Sequence, residues 1–175
     1  MGNVLEFQSA RLQLHLAMLR QMGMPDTLTW RIIGWPRDRF WDADLYACPA
    51  LVARRRDGSV RIVELVAGPA PAELDEWRLL TAGLDALVVR EHLARRGDPA
   101  KTSATFVFAD RGQFHVELPD TSRPLLRSAA QRSARDHRRT KIWTGDVASL
   151  LQADGLGAKA IRYIRTDSPS RPSTS

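Results

Sequence analysis

Pro49-Ala50-Leu51-Val52-Ala53-Arg54-Arg55-Arg56-Asp57-Gly58-Ser59-Val60-Arg61-Ile62-Val63-Glu64-Leu65-Val66 reads as two β-strands folded back on each other. Aspartate and glycine both tolerate positive φ, so Asp57-Gly58 is a strong hairpin turn. The flanking runs, about 48–56 and 59–66, are rich in β-branched and aliphatic residues and predict antiparallel strands. Side chains alternate along a strand with a period of two, which sets Glu64 and Val66 on one face. One acid and one aliphatic side chain therefore share whatever that face looks onto. Gly68-Pro69-Ala70-Pro71 then breaks the chain.

The pattern extends outward in both directions. Upstream, Leu5, Leu12, Leu16 and Leu19 recur at helical spacing and predict a helix over 3–22, ended by Gly23 and Pro25. Residues 28–35 read as a strand and 36–44 as a polar, aromatic connection. Downstream, Leu74, Trp77, Leu80, Leu84, Leu87 and Val88 stripe a long helix over 73–95, stopped by Gly97-Asp98-Pro99. Residues 103–109 and 113–118 form a second hairpin around Asp110-Arg111-Gly112. Helices are expected over 123–139, 145–153 and 158–165. This order predicts an α/β chain, a central mixed sheet flanked by helices. Residues 1–120 form the core and 121–165 a basic helical extension packed on or beside it. The Ser/Pro-rich residues 166–175 form a disordered tail.

The quoted hairpin resembles the PD-(D/E)xK, or restriction-endonuclease-like, nuclease superfamily, and the resemblance covers roughly residues 3–118. In that family an acid opens one strand, a hairpin follows, and Glu-x-Lys lies on the next strand. Pro49 matches the motif proline and Glu64 the glutamate; Glu6 matches an acid that many members carry on the first helix. Ala50 stands where the metal-binding aspartate belongs, and Val66 where the catalytic lysine belongs. Some members add Gln and Tyr on the following helix, where this chain has Arg78 and Ala82. The family's chemistry explains what those changes remove. Carboxylates hold a divalent cation such as Mg²⁺, which polarises the phosphodiester and acidifies its bound water. The lysine positions the water and offsets developing charge. With Ala50 and Val66 in place no intact catalytic set remains, and no metal is expected unless Glu64 holds one. Asp42 and Asp44 ahead of the hairpin, and Arg78 on the next helix, are the residues that would serve if the active groups had migrated.

Charge adds a second indication. The chain carries a net +6, yet residues 1–120 hold 15 Lys and Arg against 16 Asp and Glu, a net of −1. Residues 121–165 hold 10 against 3, a net of +7. A basic segment on a neutral domain points to a polyanion, most simply nucleic acid; the nuclease resemblance makes DNA the expected kind. Arg127, Arg132, Arg135, Arg138, Arg139 and Lys141 are the candidate phosphate contacts, because guanidinium groups pair well with phosphate oxygens. No base-reading pattern is visible, although Gly145–Arg165 loosely suggests a helix-turn-helix fragment. Trp35, Trp41 and Phe40 lie in the polar connection and are read first as core packing; an exposed ring there would stack on a base or on a partner.

Other classes of function find little here. One cysteine, Cys48, builds neither a disulfide framework nor a multi-cysteine zinc site, and suits a reducing, cytoplasmic location. His15, His92, His115 and His137 show no metal-ligand spacing. No apolar run approaches the ~18 residues of a membrane span, and no membrane association is expected. The apolar stretch from Val4 to Met18 is interrupted by Glu6, Arg11 and His15, unlike a signal peptide. The first reading is therefore a catalytically inactive nuclease-like protein that binds nucleic acid without a cofactor. It would be an accessory or structural subunit of a DNA-processing or mobile-element complex, with a protein partner there. The second is an active Mg²⁺-dependent nuclease with migrated groups. The third is a protein-interaction module that does not bind nucleic acid.

Overall fold

The computed structural model describes residues 29–30, 37–40, 43–47, 49, 52–55, 57–110, 112–136, 138 and 141–166. The helix expected over 3–22, the tail beyond 166, and Glu6, Asp42, Cys48, Ala50 and Arg139 lie outside these residues.

The expected hairpin is present. Strand β4 (Val52–Arg54) pairs antiparallel with β5 (Val60–Val66), Val52 opposite Ile62 and Arg54 opposite Val60. Gly58 turns the chain with φ of +81°, a conformation that side-chain-bearing residues rarely adopt. The Asp57 carboxylate accepts hydrogen bonds from the Ser59 amide at 2.9 Å and the Ser59 hydroxyl at 2.6 Å. Those two donors hold its pKa below the ordinary carboxylate value.

Beyond β5, helix α1 (Glu76–Arg95) carries the chain across to β6 (Thr102–Phe108), which runs parallel to β5. Asp75 caps the helix, its carboxylate accepting from the amides of Trp77 at 2.7 Å and Arg78 at 3.3 Å. Strand β7 (Gln113–Glu117) returns antiparallel to β6. A short strand β1 (Thr29–Trp30) flanks β4 and a late one, β9 (Arg162–Thr166), flanks β7. Among the described residues the mixed sheet thus has the order β1-β4-β5-β6-β7-β9.

Residues 82–89 of α1 are all buried, because the helix packs on two sides at once. Leu79, Ala82, Ala86, Val89 and Leu93 meet the sheet through Val60, Ile62, Ala104, Phe106 and Val116. Leu80, Leu84, Leu87 and Val88 meet a second layer. That layer contains helices α2 (Arg123–Asp136), α3 (Thr144–Ala153) and the single turn α4 (Gly157–Ala160). It also contains a small sheet in which β2 (Arg37–Phe40) pairs antiparallel with β3 (Ala43–Tyr46), and β3 pairs parallel with β8 (Lys141–Trp143). The basic segment is thus woven into both sheets through β8 and β9, rather than resting on a finished core.

Three local expectations are corrected. Residues 36–44 contain strands instead of a plain connection. β3 finds its parallel partner in β8, almost a hundred residues away, and local patterning cannot see such a pairing. Residues 158–165 are one helical turn followed by β9, because Arg162–Thr166 pairs with the hydrogen-bonding edge of β7. Helix α2 stops at Asp136, short of 139, and Arg138 turns the chain with φ of +48°.

Candidate functional site

The C-terminal half of β5 opens onto a cleft of about 400 Å³ between the sheet and the first turns of α1. Glu64 and Val66 both line it, as two-residue alternation requires. Val60, Ile62 and Val66 all pack into the sheet-side cluster beneath α1, so Glu64 shares the helix-facing side with three aliphatic neighbours. Helix α1 contributes Trp77, Arg78, Thr81 and Asp85 to the same cleft. Residues 78, 81 and 85 lie three, four and seven apart, which places them along one helical face.

The hydrogen bonds in the cleft are partly committed. Thr81 donates its hydroxyl to the Trp77 carbonyl one turn back, at 2.8 Å. The Trp77 indole N–H points to Ser149 Oγ at 3.0 Å and the Gly145 carbonyl at 3.3 Å, tying the start of α1 to α3. Asp85 is 3% exposed and accepts the Thr144 hydroxyl at 2.6 Å; Thr144 itself is 2% exposed. Arg78 is exposed at the mouth, so its guanidinium remains well hydrated.

The sequence candidates separate in this frame. Glu64, Val66 and Arg78 come together in one cleft. Asp44 does not join them: it lies on β3 of the small sheet, in register with Lys141 and Arg39, and is no part of the cleft wall. Among the described residues no three of His, Cys, Asp and Glu gather as a metal set. Glu64 and Asp85 alone do not supply the oxygen ligands that fix Mg²⁺.

Of the cationic candidates, Arg127 and Arg135 are exposed on α2, Arg138 just after it, and Lys141 on β8. Arg132 is salt-bridged to Asp154 at the end of α3. No helix among the described residues is long and apolar enough to cross a membrane.

Sequence reasoning missed Asp85. The available signal was a single acid inside the otherwise apolar or small run 82–89, which requires a buried partner. It also missed a polar group on the opposite face of the sheet, where Thr105 Oγ1 meets His115 Nδ1 at 2.9 Å. Burial first, then the nearby Arg61 and Arg55, lower the His115 pKa from its ordinary value, against a weaker pull from Glu117.

No protein-family model, curated protein or solved structure matches this chain.

Proposed function

We propose that this protein is a nuclease-like scaffold without a working metal centre, of the PD-(D/E)xK kind, and that it binds nucleic acid, DNA above all. Its place would be that of an accessory subunit in a DNA-processing complex. The observation that carries the reading is the cleft at the end of β5. Glu64 faces it beside Val66, a side chain that can neither donate a proton nor carry charge. Support also comes from the element order, a hairpin leading into a helix and then a parallel strand. The polyanion part is supported by the exposed cations Arg135, Arg138 and Lys141, clustered in the chain where α2 gives way to β8.

The experiment pairs binding with cleavage. Fluorescence anisotropy of labelled oligonucleotides, titrated across salt, is expected to show binding that weakens steeply as salt rises. Incubation of plasmid and oligonucleotide with Mg²⁺ or Mn²⁺ is expected to yield no cleavage above a buffer control. One observation favours the second reading, an active nuclease with migrated groups: Arg78 and Asp85 enter the Glu64 cleft. Metal-dependent cleavage that disappears in Glu64→Gln would establish it and overturn the first. Absence of binding to any nucleic acid at low salt would leave the protein-interaction reading.

A further inference from the structure

We propose that the outer face of the small β2–β3–β8 sheet is a base-stacking platform, and that its occupant is a single-stranded nucleic acid. The proposal rests on the nucleic-acid reading above but uses a different surface from the Glu64 cleft. Strand alternation decides which residues form this face. Leu45 of β3 and Ile142 of β8 point inward and are 1% and 0% exposed. Their neighbours Asp44, Tyr46, Lys141 and Trp143 therefore point outward. Tyr46 and Trp143 are register partners, and their rings lie 5.5 Å apart at an angle of 44°. Trp143 keeps 40% of its surface exposed, a large value for the largest apolar side chain. The Lys141 ammonium sits 6.0 Å from the Tyr46 ring centre.

Charge selects the kind of partner. Exposed Arg135 and Arg138 precede β8, and exposed Lys141 lies on this face of β8 itself. Asp44 is the one acid on this face among the described residues and lies in register with Lys141, so it offsets part of the positive charge. Aromatic rings flanked by cations match a chain of bases joined by phosphates: the ring takes a base face and the cations track the backbone. A duplex hides its base faces inside the stack, whereas a single strand offers them at no unpairing cost. The platform also adjoins the cleft in the chain, since Thr144 follows Trp143 and bonds Asp85 in the cleft wall.

The test uses the full chain and two fluorescein-labelled probes, an oligothymidylate and a hairpin duplex of equal charge. The expected result is tighter binding of the single strand and quenching of tryptophan fluorescence on binding. Trp143→Ala is expected to weaken the single strand about ten-fold while leaving duplex affinity and the salt slope unchanged. Trp143→Phe, which keeps a ring and guards against misfolding in the alanine variant, retains most of the affinity but loses part of the quench. Equal affinity for the two probes, or single-strand affinity unchanged in Trp143→Ala, overturns the platform while leaving the nucleic-acid reading intact. Binding of neither probe at low salt overturns both.

Discussion

Thr144→Val tests the join between the cleft and the second layer. Thr144 Oγ1 donates to Asp85 Oδ1 at 2.6 Å, with the two residues 2% and 3% exposed. Valine reproduces the shape of threonine, so packing around the start of α3 is kept and only the donor is lost. Both residues are buried, so the lost donor is poorly replaced. Removing one partner of such a buried hydrogen bond costs about 1–3 kcal/mol. For a chain of this size each 1 kcal/mol lowers Tm by roughly 2–4 °C, so a mid-range loss of about 2 kcal/mol lowers Tm by about 4–8 °C. Urea denaturation followed by circular dichroism measures the change directly. Thr144→Ser keeps the hydroxyl and is expected to lose less than half as much. A double-mutant cycle with Asp85→Asn should return a coupling of about 0.5–3 kcal/mol. A Thr144→Val protein within about 0.5 kcal/mol of the parent, or one matched in its loss by Thr144→Ser, would refute the assignment of this bond as a strut between α1 and α3.

Three shorter predictions accompany it. Replacing Arg135 and Arg138 together with alanine should reduce the slope of log affinity against log salt by about 1.4 on a single strand, because each phosphate contact contributes about 0.7; an unchanged slope removes these residues from the interface. His115 has a folded-state pKa below its unfolded value, so the unfolded chain takes up the proton more readily and the stability it contributes is lost as pH falls below about 6.5. Urea midpoints at about pH 8 and pH 5 should accordingly converge in His115→Gln relative to the parent, and a wider gap would reverse the sign of the argument. Ser133 Oγ is buried on α2 with no hydrogen-bond partner among the described residues, so Ser133→Ala is expected to raise stability by about 1 kcal/mol in the same denaturation assay.

Local chemistry accounts for the parts of this protein that were legible beforehand. Asp57-Gly58 and period-two alternation specified the β4–β5 hairpin and put Glu64 and Val66 on one face, because turn geometry and strand pleat are short-range properties. The apolar stripe of 73–95 and its Gly97 stop predicted α1, and Asp110-Arg111-Gly112 predicted the β6–β7 turn. Three-dimensional proximity decided the rest. Arg78 was a candidate by its place on the following helix, and only the fold of α1 over β5 sets it in the same cleft as Glu64. Asp85 and Thr144 stand 59 residues apart, and nothing in either neighbourhood announces the other. The pairing of β3 with β8 and of β7 with β9 likewise depends on which sheet edges remain open once the core has closed. Strand partners far apart in the chain are chosen by hydrogen-bonding edges and buried area that exist only in the folded state. That is why Tyr46 and Trp143, unremarked in their own segments, become a platform only in the assembled sheet.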